Sequence, residues 1–162
     1  MSRIIGRVVL GVSGSPENLH ALRHAVELAR HYDATLIAGN AQPVRGPQRG
    51  SGPRRHGRYG PVWQQAASLV VRAAFDDALG GPPPDVECVL LALSGAPGPA
   101  LLALAARAND VLVLGSAQRQ GTRRIHGMRG GVAAYCIARS ACSVLTVPPP
   151  PLAAVARGRA RV

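Results

Sequence analysis

Two glycine- and serine-rich segments carry most of the residues in this chain that suit ligand chemistry. The first is the sequence Gly-Val-Ser-Gly-Ser at residues 11–15, and the second spans residues 115–131. Glycine lets the backbone approach a ligand closely, and the free amides at the start of a following helix attract anions. Both segments therefore predict places where backbone N–H groups hold a phosphate, although each also fits an ordinary strand-to-helix turn or solvated loop.

The serines, histidines and acids near these segments do not form a recognisable catalytic arrangement. Ser13 and Ser15 precede a predicted helix that carries His20, but the sequence shows no orienting carboxylate and no nucleophile-elbow pattern. The chain contains no lysine, which excludes a P-loop, and the acids nearest to the two segments are Glu17 and Asp110. We therefore expect no catalytic residues and no enzyme activity.

The first predicted helix carries a face of potential metal ligands. Polar residues recur there every three or four positions: Glu17, His20, His24, Glu27 and His31. His20 and His24 have the spacing of zinc ligands on one helix face. That face lies opposite the apolar stripe of the same helix, so it is solvated, and a single exposed helix offers too few ligands for a closed site. The sequence thus predicts no metal site.

Buried strands alternate with helices along the chain. Apolar, β-branched runs predict strands over 7–12, 35–41, 86–92, 111–114 and 143–147. Helical periodicity, capping residues and proline breaks predict helices over 16–31, 62–79, 97–107 and 132–139. The first of these helices has a clear apolar stripe: Leu19, Leu22, Val26 and Ala29. The second has apolar residues along one side: Val62, Ala66, Leu69, Val70 and Ala73.

This order of elements predicts an α/β fold with an open, doubly wound, mainly parallel sheet of five strands and helices on both faces. Such sheets bind ligands outside the carboxyl ends of their strands, where the strand order reverses. The loops after the first and fourth strands are the expected place, and these are the two glycine-rich segments.

Charge suggests a second class of function. Nineteen basic residues, all arginine, stand against eight acidic ones and give a net charge of +11. Twelve of them lie in three segments without acids, 45–58, 119–129 and 157–161. Such segments attract polyanions, so the alternative function is a basic interaction module that binds nucleic acid or an acidic partner. The other interpretation is a solvated loop and tail whose arginine content reflects a GC-rich genome.

Composition and length indicate one globular domain. The chain has 162 residues, of which 47% are hydrophobic. We expect a domain over 1–148, interrupted by a flexible loop at 42–61, and a loose tail over 149–162. Three cysteines without paired spacing, no apolar run long enough for a membrane span and no apparent secretory signal favour the cytoplasm.

Three stretches give the chain a resemblance to the universal stress protein family: residues 8–15 with the helix that follows, residues 110–116, and Gly130 followed by residues 142–148. The similarity covers residues 5 to 148. It implies an adenine nucleotide alpha hydrolase-like fold, usually dimeric through the last strand, that acts in the cytoplasm as a non-enzymatic stress-response or nucleotide-sensing protein.

One branch of that family binds ATP through a motif of Gly, two residues, Gly, nine residues, then Gly and Ser or Thr. Gly115 matches its first glycine, Gln118 stands where the second is expected, and Gly130 fits the third if the loop is two residues longer. Gly131 replaces the hydroxyl residue, and Ser13 replaces an aspartate usual at the end of the first strand.

The resemblance implies an adenine nucleotide, ATP or another, with or without Mg²⁺. Base and ribose would lie near Val12, Ser13 and Asn40, and phosphates near the three glycines Gly115, Gly130 and Gly131. The two missing side chains would remove hydrogen bonds of about 0.5–1.5 kcal/mol each, more for a charged one. ATP affinity is therefore expected to fall by roughly one to three orders of magnitude.

Overall fold

The computed structural model describes residues 4–42, 60–116 and 131–150. Nine elements follow one another in these ranges: β1 (Arg7–Gly11), α1 (Pro16–Tyr32), β2 (Thr35–Gln42), α2 (Gly60–Leu79), β3 (Cys88–Ser94), α3 (Pro97–Leu104), β4 (Asp110–Gly115), α4 (Val132–Arg139) and β5 (Ser143–Val147). Residues 43–59 of the loop predicted over 42–61, most of the second glycine-rich segment and most of the predicted tail lie outside the described residues. The ends of that predicted loop instead belong to β2 and α2.

The five strands form one fully parallel sheet in the order β3-β2-β1-β4-β5. The order reverses between β1 and β4, which pair in register from Arg7 with Asp110 to Leu10 with Val113. The predicted α/β class and the doubly wound parallel sheet are confirmed. The reversal places the loops that follow β1 and β4 side by side at the carboxyl ends of the strands, with a crevice between them, as expected from the sequence.

Alternate residues of the central strands face two separate core layers, because side chains of a strand point in turn to opposite faces of the sheet. Val8 and Leu10 lie in the layer covered by α1 and α2, whereas Val9 lies in the layer covered by α3 and α4. All three are fully buried. This burial on both faces explains the continuous apolar run of β1.

Helix α1 begins where the sequence predicts, after Ser15 and with a proline in its first turn. The Ser15 hydroxyl does not cap the helix and instead lies 3.0 Å from the Ser13 hydroxyl. Gly14 has a φ of 76°, a conformation that other residues rarely adopt, so it makes the tight turn possible. The helix ends at Asp33, in the left-handed region. Its predicted apolar stripe packs against the sheet.

The predicted apolar side of α2 is mostly wrong, because Val70 packs against the core but the other members whose burial is described are exposed. The structure buries Ala67, Val71 and Phe75 against the sheet and leaves Leu69 65% exposed. Apolar residues surround most of this helix, so its periodicity fits two neighbouring stripes about 100° apart. Contact with the sheet selects the stripe that carries Phe75, the largest fully buried side chain in the described residues.

Several predicted boundaries differ by one to three residues, and those of β3 and α3 have a visible cause. Strand β3 begins two residues later than expected because the Val86 amide turns back toward the Pro83 carbonyl, while Ser94 still pairs with Gln42. Helix α3 ends at Leu104 rather than Arg107. The Arg107 amide donates instead to the Asp110 carboxylate at 2.9 Å, which draws the chain out of the helix.

An ion pair stabilises the amino edge of the sheet. Arg7 donates to Asp110 from Nε at 2.8 Å and from a terminal nitrogen at 2.5 Å, and it also donates to the Leu104 carbonyl. Burial alone would raise the pKa of Asp110, but hydrogen bonds from Arg7 and the Arg107 amide lower it overall. Asp110 therefore lies at the end of the sheet opposite the glycine-rich loops. The sequence-based expectation that it is one of the acids near these loops is wrong.

None of the helices in the described ranges has both the length and the apolar character needed to cross a membrane.

Candidate functional site

A hollow of about 670 Å³ opens at the carboxyl edge of the sheet, between the ends of β1 and β4. This is the size range of small-molecule sites in proteins. Its described lining comes from the ends of β1, β2 and β4 and from the starts of α1, α3 and α4: Gly11, Val12, Ser13, Ser15, Asn18, Gly39, Asn40, Ala41, Gln42, Pro97, Leu101, Leu114, Gly115, Ser116, Gly131, Val132, Ala133 and Ala134. The hollow thus lies at the strand-order reversal.

Asn18 connects the two loops that meet at the hollow. Its side-chain amide donates to the Gly11 carbonyl at 2.9 Å, and its oxygen accepts from the Ser13 amide at 3.4 Å. A Cβ at Gly115 would lie 3.4 Å from the same side chain. Asn18 is buried, with 4% of its surface exposed. Its side chain therefore holds the turn after β1 beside the end of β4.

Asn40, at the end of β2, also holds the backbone that lines the hollow. Its side-chain amide donates to the Val12 carbonyl at 2.6 Å, and its oxygen accepts from Gln42 at 2.9 Å. The Val12 amide in turn donates to the Gly39 carbonyl at 2.8 Å. The backbone around Val12 is therefore fixed from both sides, and the Asn40 carboxamide is occupied by protein partners.

Helix α4 points its amino end into the hollow. Gly131 is its N-cap residue and has no side chain that would cap the helix. The first turn of a helix leaves its amides without partners inside the helix, and the helix dipole adds positive potential there. Val132, Ala133 and Ala134 line the hollow at this turn. The described geometry therefore offers bare amides to an anion at one wall.

The described lining contains no charged side chain. One side is apolar, with Val12, Leu101 and Leu114, and the rest carries hydroxyl, carboxamide and backbone groups. Within the described ranges, no group of three or more His, Cys, Asp or Glu residues is arranged to hold a metal ion. The arrangement suits a flat apolar ring beside an anionic group.

The structure brings together five of the six residues expected at a ligand site. Val12, Ser13, Asn40, Gly115 and Gly131 all line the hollow, whereas Gly130 lies outside the described residues.

Sequence reasoning missed Asn18 and the apolar wall from α3. Asn18 had a readable signal, because it falls in line with Leu22, Ala25 and Ala29, which makes it a polar residue on a buried helix face. Leu101 had none, since only the packing of α3 directs it to the hollow.

Residues 5–148 match the family described as the universal stress protein family. No curated protein sequence gives a significant match. Among solved structures, a universal stress protein in complex with cAMP is 28% identical, with a TM-score of 0.64 over 90% of this chain and 98% of that one.

Two further structures share the fold at lower identity. Universal stress protein UspA from Lactobacillus plantarum is 18% identical, with a TM-score of 0.56 over 91% of this chain and 99% of that one. The universal stress protein from Archaeoglobus fulgidus in complex with dAMP is 16% identical, with a TM-score of 0.55 over 88% and 98%. Because the family match spans most of the sequence, the chain belongs to the universal stress protein family.

Proposed function

We propose that the hollow binds an adenine nucleotide and that the protein acts as a nucleotide-sensing stress protein. The observation that carries this proposal is the meeting of three features at one place: the ends of β1 and β4, the amino end of α4, and an apolar wall. The cAMP complex of a universal stress protein 28% identical to this chain supports an adenine nucleotide as the ligand class.

The phosphate end of the ligand would lie against α4. Amides at Gly131 and the first turn of α4 lie at one wall of the hollow, and Gly115 allows close backbone approach at the opposite wall, where the Ser116 amide already donates to the Val147 carbonyl at 2.9 Å. Gly130 belongs to the same proposed set from the sequence. Backbone donors do not depend on the side chain, so this cradle tolerates the departures from the ATP motif at Gln118 and Gly131.

The base and ribose would lie between Val12, Ser13 and the apolar wall at Leu101 and Leu114. Ser13 would offer a hydroxyl in place of the carboxylate expected for tight ATP binding. Asn40 would act mainly by fixing the Val12 backbone, because its carboxamide already has two protein partners. We therefore expect ATP to bind more weakly here than in motif-complete relatives.

The proposed function is binding without turnover. The Ser13 hydroxyl has the Ser15 hydroxyl as its neighbour at 3.0 Å rather than a histidine. Among the described lining residues, no carboxylate or imidazole is positioned to activate water or hold Mg²⁺. These features favour a sensor over a nucleotide hydrolase.

We also propose that the protein is cytoplasmic and forms a homodimer through β5. Within the described ranges this strand lies at one edge of the sheet and pairs only with β4, which favours pairing of its outer backbone with a second copy. Leu145 on β5 is 39% exposed, which fits an edge that becomes covered.

The alternative function, a basic module for nucleic acid or an acidic protein, rests on arginines outside the described residues. Its support is the net charge of +11 and the absence of acids from the three arginine-rich segments. This function predicts a binding affinity for polyanions that falls steeply as the salt concentration rises.

Isothermal titration calorimetry tests the proposal. ATP with and without Mg²⁺, AMP and cAMP are titrated into the full chain, with GMP as the matched control for the base. We expect one adenine nucleotide per chain to bind and GMP to bind at least tenfold more weakly. No heat from any adenine nucleotide at high micromolar protein concentration would reject the proposal and leave only the scaffold.

A further inference from the structure

His20 and His24 on the outer face of α1 are chemically capable side chains that the nucleotide proposal leaves unused. Their Nε2 atoms lie 3.3 Å apart, while the ring centroids are 4.6 Å apart and the ring planes are perpendicular. Because the nitrogens are closer than the ring centres, the two rings turn their Nε2 edges toward one another. A spacing of four residues places both on the same side of the helix, one turn apart.

We propose that His20 and His24 together bind a divalent transition-metal ion such as Zn²⁺, Ni²⁺ or Cu²⁺. Zinc–nitrogen bonds of about 2.0–2.1 Å in tetrahedral geometry place two nitrogen ligands about 3.3 Å apart. The two Nε2 atoms already have this separation, at which they share a hydrogen bond that the bound ion would replace. Imidazole is a ligand that these three metals favour.

The site is an open chelate rather than a closed structural site. Two positions are filled by the histidines, and the remaining positions are left to water. One helix supplies too few protein ligands for a closed metal site, but two ligands are enough for an open one. His20 is half-buried and His24 is exposed, so a hydrated ion can reach both rings.

The arginines of α1 are directed to other partners. The Arg23 side chain donates to the Ala78 carbonyl at 3.2 Å, and Arg30 is paired with Asp85 and Glu27. Neither guanidinium is therefore held over the histidine pair. The net charge of +11 opposes a cation, but charges beyond about 8 Å are largely screened at physiological ionic strength.

Thiols are the main competitors for the metal. Burial raises the pKa of the Cys88 and Cys136 thiols, which keeps them protonated and less able to bind a cation. The sulfur of Cys142 lies 3.3 Å from the Ser140 hydroxyl. These contacts leave the histidine pair as the more accessible ligand set in the described part of the chain.

Zinc titration calorimetry on the full chain tests this inference, with His20→Asn, His24→Asn and the control His31→Asn. His31 lies on the same helix, and its ring packs against Tyr32 with centroids 4.9 Å apart. We expect wild type and His31→Asn to bind one Zn²⁺ with equal affinity. Each of the other two variants should bind at least tenfold more weakly, because one chelating nitrogen is lost.

Three results would overturn the inference: no zinc binding by the wild type, unchanged affinity in His20→Asn and His24→Asn, or an equal loss in His31→Asn. A cobalt titration adds an independent readout, because Co²⁺ reports its ligands in its absorption spectrum. Nitrogen and water ligands without a thiolate charge-transfer band are expected, and a thiolate band that persists in His24→Asn would contradict the site.

Discussion

Asn18 connects the turn after β1 to the end of β4 at the floor of the hollow through one buried carboxamide. Its donor and acceptor are both used, at the Gly11 carbonyl and the Ser13 amide, and its side chain lies beside Gly115. A carboxamide suits this position because it can donate and accept at once. A carboxylate or an apolar side chain would leave at least one buried backbone group without its partner.

Asn18→Ala should therefore weaken adenine-nucleotide binding at least tenfold and reduce the free energy of unfolding by about 1–3 kcal/mol. Calorimetric titration and urea denaturation measure the two effects. Asn109→Ala, an exposed asparagine near the opposite edge of the sheet, is the control and should change neither. Equal nucleotide affinity in Asn18→Ala and wild type would contradict the positioning role.

The ion pair of Asp110 with Arg7 should make the stability of the protein depend on pH. The folded protein lowers the pKa of this carboxyl, so its contribution to stability is present above the unfolded pKa of about 3.9 and is lost as the pH falls through the folded value. Asp110→Asn should reduce the free energy of unfolding by about 3 kcal/mol at neutral pH, because Arg7 loses its buried partner.

The difference in unfolding free energy between wild type and Asp110→Asn should stay constant down to about pH 5 and shrink below about pH 4. Denaturant unfolding over that range measures it. A difference that stays constant to the lowest pH would show that the carboxyl does not titrate as the ion pair requires.

At the scale of the elements, the strands were more predictable than the helix faces. Burial on both sides makes a parallel strand a continuous apolar run, so β1, β2 and β4 could be located from their apolar residues. Strand β5 is an edge strand with an exposed Leu145, and its β-branched residues indicated it instead. The stripe of α1 was also readable, because charged residues mark its other face. In α2 small apolar residues surround the helix, and only contact with the sheet decides which of them are buried.

Helix α2 offers a matched pair of variants, one at a buried position and one at an exposed position. Val71→Ala removes a fully buried side chain and should lower the free energy of unfolding by about 2 kcal/mol, whereas Leu69→Ala, at a 65% exposed position, should change it by less than about 0.5 kcal/mol. Chemical denaturation of both variants measures the difference. A larger loss in Leu69→Ala would restore the side predicted from the sequence.

At the scale of the whole molecule, the location of the site was predictable and its interior was not. Reversal of strand order brings the loops after β1 and β4 together in any such sheet, so Ser13 and Gly115 could be placed near one another from topology. The roles of Asn18 and Leu101 depend on how helices pack across that edge, which the order of elements does not specify.

The proposed dimer forms through the edge strand β5. Leu145→Arg places a charge on the exposed side of β5 and should convert a dimer into monomers without unfolding the chain. Val89→Arg is the control, because Val89 is similarly exposed on β3, the opposite edge strand. Light scattering after size-exclusion chromatography measures the mass. A dimer that persists in Leu145→Arg and dissociates in Val89→Arg would assign the interface to β3.

The proposal that the carboxyl edge of the sheet binds an adenine nucleotide is tested most directly by amide chemical-shift mapping. A ¹⁵N-labelled chain is titrated with AMP and with cAMP, and each amide resonance is followed. The largest shifts should fall on Ser13, Ser116, Gly131 and Ala133, with little change at Glu87 and Arg107 near the other edge. Saturating shifts confined to residues away from the hollow, or no shifts at all, would contradict the account.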